Sequence, residues 1–215
     1  MKIFLDTANI EDIKRGAAMG VLDGITTNPS LLAKEGVEYK ERVLEIAKIV
    51  DGPISAECIS ETTEELIAEA FRIAEWHENI VVKIPFTEAG LAATNQITSE
   101  GIKVNTTLIF SPNQALLAAK AGSTYVSPFI GRLNDAGHDG MEVIREIADI
   151  FNQSELETEV LTASIRNPRD VIDAALSGSH IATIPPNVLF NMINHPLTDK
   201  GIDLFLADAK KYSPV

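Results

Sequence analysis

One lysine stands in a stretch that holds no other charge. Lys83 follows Ile80-Val81-Val82 and precedes Ile84-Pro85. An ammonium buried in such a run is costly unless it is paired. The ordinary readings are a stem that snorkels to solvent or a structural pair with Glu57, a carboxylate among Ala56, Cys58 and Ile59. The chemical reading is different. Desolvation disfavours a charged amine, and a neutral amine attacks carbonyls to form a Schiff base. Asp6 and Glu57 are then candidate acid/base partners, moving protons on and off a carbinolamine and a sugar hydroxyl. Asn28 and Asn105 suit hydroxyl binding. Arg132 and Arg166, with Ser164, lie late in the chain, and the guanidinium fork suits phosphate. A Schiff-base lysine, two carboxylates and a phosphate clamp suggest a metal-independent aldol reaction on a phosphorylated sugar.

Those residues need elements to bring them together. Short β-rich runs alternate with longer amphipathic runs along the whole chain. The β-rich runs are 2–6, 24–27, 54–59, 80–84, 103–108, 124–128, 159–163 and 180–184. Between them the clearest helix is 64–76, with Leu66, Ala70, Ile73 and Ala74 on one face. Runs 37–50, 89–99, 112–121, 140–151 and 168–176 have similar patterns. Ser111-Pro112 and Asn167-Pro168 read as an N-cap followed by proline in the first turn, and Gly122 and Gly178 as helix stops. Eight strand–helix units predict a (β/α)8 barrel over residues 1–215 as one domain, at about 27 residues per unit. A doubly wound open sheet is the second reading. It normally carries a glycine-rich turn after the first strand, and here Thr7-Ala8-Asn9 follows instead.

Buried parallel strands should read as unbroken apolar runs. These are interrupted at their C-terminal ends by Asp6, Thr26-Thr27-Asn28, Glu57, Lys83, Asn105 and Thr107, Ser127, and Ser164 and Arg166. Alternation puts Asn105 with Thr107, Ser127 with Phe129, and Ser164 with Arg166 on shared faces. Active sites of barrels lie at that end. Taken singly, Asp6 could be a helix cap and Asn28-Pro29-Ser30 a turn. Their coincidence at one mouth favours function.

Composition narrows the classes. The chain has 215 residues, 45% of them hydrophobic and 23% charged, an ordinary globular make-up. The formal net charge of −13 argues against nucleic acid as a partner. Apolar runs are too short for a membrane span, and Met1-Lys2-Ile3-Phe4 leads into Asp6 without a leader. Cys58 is the one cysteine, which fits a reducing cytoplasm. His77, His138, His180 and His195 are scattered, so no metal site is expected.

The motifs resemble one family. Phe4-Leu5-Asp6-Thr7-Ala8, Ile25-Thr26-Thr27-Asn28-Pro29-Ser30, Val81-Val82-Lys83-Ile84-Pro85, Asn105-Thr106-Thr107-Leu108, Ser127-Pro128-Phe129-Ile130-Gly131-Arg132 and Ala163-Ser164-Ile165-Arg166 are similar to the transaldolases, in their order, from residue 3 to about 196. The length matches the small subfamily that includes fructose-6-phosphate aldolases. The resemblance implies a Schiff base on Lys83 and proton transfer at the C4 hydroxyl by Asp6. It implies a proton-shuttling water held by Glu57 and Thr107. Thr26, Asn28, Asn105, Ser127 and Phe129 would line the site, and Arg132, Ser164 and Arg166 would bind phosphate. It implies no cofactor, phosphorylated sugars of the pentose phosphate pathway as substrates, and a homo-oligomer, a decamer of two pentameric rings. Glu57 and Phe129 stand where the aldolase branch has Gln and Tyr, which favours transfer over release. Run 199–211 carries Ile202, Phe205, Leu206 and Ala209 on one stripe. It reads as a helix that caps its own barrel or, by the resemblance, packs on a neighbouring subunit.

Overall fold

The structure is a computed structural model that describes residues 1–212. Eight strands alternate with helices: β1 (Lys2–Asp6), α1 (Ile10–Ala18), β2 (Gly24–Thr26), α2 (Pro29–Glu35), α3 (Tyr39–Ala47), β3 (Ile54–Glu57), α4 (Thr63–Ala74), β4 (Ile80–Pro85), α5 (Glu88–Ser99), β5 (Val104–Ile109) and α6 (Pro112–Lys120). Then follow β6 (Tyr125–Pro128), α7 (Ile130–Asp135), α8 (Gly140–Gln153), β7 (Glu159–Thr162), α9 (Pro168–Leu176), β8 (Ile181–Ile184), α10 (Pro186–Ile193) and α11 (Pro196–Ala209). Each strand pairs in parallel with the next, and β8 closes on β1. The expected (β/α)8 barrel is the fold. No helix is long and apolar enough to cross a membrane among the described residues.

Two apolar clusters divide the core. The larger joins the outer faces of the strands to the helices, through residues such as Ile13, Ile46, Ile54, Ile84, Ile97 and Ile147. The smaller consists of Phe4, Val81, Tyr125, Leu161, Ala163 and Ile181 and fills the barrel's interior. Side chains repeat every second residue on a strand face. Two residues on from that floor, Phe4 gives way to Asp6, Val81 to Lys83, Tyr125 to Ser127 and Ile181 to Thr183. The same faces therefore run from an apolar floor to a polar mouth. Gly24 makes room for the floor: a Cβ there would lie 2.7 Å from the Phe4 ring and 2.6 Å from the Pro53 carbonyl.

Local rules set the helix boundaries. Ser111 and Asn167 cap α6 and α9, with proline in the first turn. Gly122 and Gly178 take φ of +99° and +85°, where a residue with Cβ is strained. Four helices lie outside the periodic runs. Asn28-Pro29-Ser30, weighed as a turn, starts α2: Asn28 caps it and Gly36 ends it at φ +65°. The helix α1 carries an Asn9 cap and Glu11 and Asp12 in its first turn, with Ile10, Ile13 and Gly16 buried at helical spacing; cap and period are both present in the sequence. The other two are α7, six residues without a side-chain cap, and α10, opened by Pro185-Pro186. The C-terminal helix starts at Pro196, capped by His195, rather than at residue 199. It buries none of its residues, so it does not cap its own barrel.

Candidate active site

The mouth gathers most of the predicted residues around Lys83. Its side chain is 7% exposed, and Nζ lies 2.9 Å from Glu57 Oε2. Glu57 and Lys83 are register partners on β3 and β4, so the pair is built into the sheet. Nζ also donates to the Thr27 carbonyl at 3.2 Å. The structural pairing of Lys83 with Glu57 and its place in the cavity hold together: Lys83 borders the pocket lined by Asp6, Thr26, Asn28, Ser127, Phe129, Arg132 and Ser164.

Asp6 faces this pocket from β1, beside its register partner Thr26. The Thr26 hydroxyl donates to Asp6 Oδ1 at 2.7 Å and lies 2.5 Å from the Thr183 hydroxyl. Thr26 has one hydroxyl proton, given to Asp6, so Thr183 must be the donor to Thr26. Burial pushes the Asp6 carboxyl above its usual range, while the Lys83 charge and the Thr26 hydrogen bond pull it back. Asp6 is not the cap of α1; Asn9 fills that role.

Thr107 borders the adjoining part of the cavity with Glu57 and Lys83. Its hydroxyl is buried and has no hydrogen-bond partner among the described residues. The strand β5 shifts register between Thr106 and Ile109, and Leu108 there takes φ +60°. Asn28 is shared. Its Oδ1 accepts the Leu31 N–H of α2 at 3.0 Å, leaving the amide nitrogen for the pocket. Ser127 donates to Asn105 Oδ1 at 2.6 Å, and Asn105 Nδ2 donates to Ser55 at 3.0 Å. Asn105 is thus buried beneath the site and fixes Ser127 rather than lining the pocket.

The cationic end divides. Arg132, on α7, stacks over the Phe129 ring at 5.0 Å and borders both parts of the cavity. Ser164 borders it too. Arg166 does not: its guanidinium binds both carboxylate oxygens of Asp135. The expectation that Ser164 and Arg166 share an inward face fails for a backbone reason. The strand β7 ends at Thr162, and Ser164 takes φ +60°, so the alternation stops before Arg166. Gly131 permits this packing. A Cβ there would lie 2.3 Å from the Ser164 carbonyl and 2.7 Å from Arg166 Nε.

Two contributors escaped the sequence reading. Thr183 sits on a strand of β-formers, Ile181–Ile184, where threonine carries no signal of its own; its spacing two residues after Ile181 was the available cue. Tyr39 lies on α3, where an aromatic at a helix start reads as packing, and its hydroxyl accepts the Glu57 N–H. Among the described residues no group of three or more His, Cys, Asp and Glu could hold a metal ion.

Comparison with known proteins adds the family. Residues 3–213 match the family described as Transaldolase/Fructose-6-phosphate aldolase. The chain is 56% identical over 211 residues to a "Probable transaldolase" of Thermoanaerobacter sp. (strain X514), covering 98% of each chain. It is 57% identical over 214 residues to one of Desulforamulus reducens, covering 100% of this chain and 99% of the relative. A solved structure, thiamine phosphate pyrophosphorylase from Pyrococcus furiosus, shares the barrel at 15% identity and a TM-score of 0.59, over 86% of this chain and 85% of its own; that likeness concerns the fold alone. With its motifs in order around the barrel mouth and the match spanning nearly its whole length, the chain belongs to the transaldolase/fructose-6-phosphate aldolase family.

Proposed function

We propose that the protein transfers a dihydroxyacetone unit from a ketose phosphate, such as fructose 6-phosphate or sedoheptulose 7-phosphate, to an aldose phosphate through a Schiff base on Lys83. The observation that carries this reading is the buried Lys83 amine, 2.9 Å from Glu57 and in one pocket with the half-buried Asp6.

Each step has a residue to perform it. The Lys83 amine adds to the C2 carbonyl of the ketose. The carbinolamine loses water as Glu57, with a water held by the unpartnered Thr107 hydroxyl, supplies and removes protons. Asp6 takes the proton of the C4 hydroxyl, the C3–C4 bond breaks, and the aldose phosphate leaves. The bonding pair passes into the iminium, which becomes a neutral enamine. This loss of charge favours Asp6. The Lys83 cation is what pulls the Asp6 carboxyl down, so its neutralisation strengthens the hold of Asp6 on the proton just taken. The reverse sequence joins the enamine to the acceptor aldehyde.

Transfer is favoured over release by Phe129. Its ring faces the pocket of Lys83 without a hydroxyl that could protonate the enamine. Glu57 adds to this, since a carboxylate accepts a proton where an amide does not. Fructose-6-phosphate aldolase is the second reading. Product assays with and without erythrose 4-phosphate separate the two. A transaldolase forms sedoheptulose 7-phosphate and little free dihydroxyacetone; an equal yield of free dihydroxyacetone in both arms would establish the aldolase.

The helix α11 extends the proposal to assembly. Leu197 and Phe205 are 70% and 75% exposed, an apolar surface that a second copy of the chain would cover, as in a ring-shaped homo-oligomer.

A further inference from the structure

The ladder between β2 and β3 departs from regularity one rung before the site. Ile25 N–H donates to the Pro53 carbonyl at 2.9 Å, and Thr27 N–H to the Ser55 carbonyl at 3.1 Å. In an even parallel ladder the following bond runs from Glu57 N–H to the Thr27 carbonyl. Both groups go elsewhere. Glu57 N–H donates to the Tyr39 hydroxyl, and the Thr27 carbonyl accepts from Lys83 Nζ at 3.2 Å.

Backbone groups buried in a sheet must find partners. If Glu57 N–H were free, the Thr27 carbonyl is the acceptor that ladder geometry offers it. Tyr39 removes that competition. Its hydroxyl takes the Glu57 N–H and reaches back to the Glu57 carbonyl at 3.3 Å. The ring is held edge-on against Trp76, with centroids 5.1 Å apart at 83°. Burial pushes the phenol's pKa up, so it keeps its proton and acts as a neutral clamp rather than as an acid.

We propose that Tyr39 is a positioning residue: by standing in for the missing rung it fixes the Glu57 end of β3 and leaves the Thr27 carbonyl to orient the Lys83 amine. The consequence lies at Nζ. Its nitrogen is tetrahedral, and two of its three donor directions are occupied by Glu57 and Thr27. The lone pair that appears on deprotonation therefore points along the third, into the cavity that Lys83 borders. Without the clamp, Glu57 N–H reclaims the Thr27 carbonyl and the amine loses one of its two tethers.

This inference rests on the Schiff-base reading, and the test keeps the two apart. Tyr39→Phe removes the hydroxyl and keeps the ring against Trp76. Imine formation is followed by rapid mixing with fructose 6-phosphate and borohydride quench, beside steady-state kcat and KM and the thermal midpoint. The expected result is an imine step about tenfold slower, the scale of one lost hydrogen bond, with KM and the cleavage step unchanged. If wild-type Lys83 takes no label, the Schiff-base reading fails, whatever the variant does. If wild type is labelled and the variant is labelled at the same rate, the positioning role is refuted. A variant slowed equally in every step, or one that does not fold, also refutes it, because Tyr39 would then serve the fold in general.

Discussion

The phosphate clamp expected of Arg132 and Arg166 offers a quantitative test, because two arginines that look alike in the sequence are placed differently. Arg132 borders the cavity beside Lys83 and has no carboxylate within ion-pair distance among the described residues. Arg166 is tied to Asp135 and borders no part of it. A charge-assisted hydrogen bond contributes about 1.5–3 kcal/mol. Losing that from substrate binding raises KM roughly 10- to 150-fold. Arg132→Ala should therefore raise KM for fructose 6-phosphate by that range, while turnover of unphosphorylated fructose stays as in wild type. Arg166→Ala removes an exposed pair and should change KM less than about fivefold. Initial rates of glyceraldehyde 3-phosphate release with erythrose 4-phosphate as acceptor give both numbers. Asp135→Asn is the internal check, and KM should move less than about twofold. An effect of Arg166→Ala equal to or above that of Arg132→Ala, or a sharply lower KM in Asp135→Asn, would refute this division of the two arginines. Either result would mean that phosphate displaces Asp135 and recruits Arg166. The overall charge of −13 makes the contrast matter, since substrate anions meet an unfavourable global field and depend on local cations.

Other predictions concern single steps. Asp6→Asn should still form the trapped adduct with fructose 6-phosphate but release no aldose phosphate; adduct loss in parallel with cleavage would count against the assigned role. The same change should stabilise the protein. The folded state raises the Asp6 pKa, so it binds the proton more tightly than the unfolded chain does, and the ionised group costs stability increasingly as pH rises through that window. The gain, read as a higher Tm at pH 7, should vanish below the ordinary carboxylate range; a gain that persists in acid would contradict the cause given. Phe129→Tyr should raise free dihydroxyacetone without acceptor by about tenfold or more, as a new general acid would, and an unchanged product ratio would remove Phe129 from the account of transfer. Light scattering should give a multiple of the 23.3 kDa chain mass, reduced by Phe205→Asp; a wild-type monomer would refute assembly through α11.

The barrel was legible because its signals are local and repeated. Apolar runs recur in each unit, and caps such as Ser111 and Asn167 and glycine stops such as Gly122 and Gly178 mark several of them. The place of the site was legible at Lys83 and Glu57, where a charge interrupts a buried strand and the two side chains pair at the barrel mouth. What stayed hidden was geometry that breaks the pattern. Alternation predicted an inward Arg166, but the left-handed turn at Ser164 ends the strand. Asn105 looked like a ligand for substrate and proved to be bound by Ser55 and Ser127. Tyr39 and Thr183 act through hydrogen bonds to residues distant in the chain, Glu57 and Thr26, and nothing in their own neighbourhoods marks them. Short helices such as α7 hold too few residues for a period to be seen.

The most direct test of the central claim is borohydride reduction in the presence of fructose 6-phosphate, followed by peptide mass mapping. One stoichiometric adduct is expected, on the peptide carrying Lys83, with loss of activity in proportion to label. Turnover that persists with Lys83 unmodified, or label placed on another lysine, would contradict it.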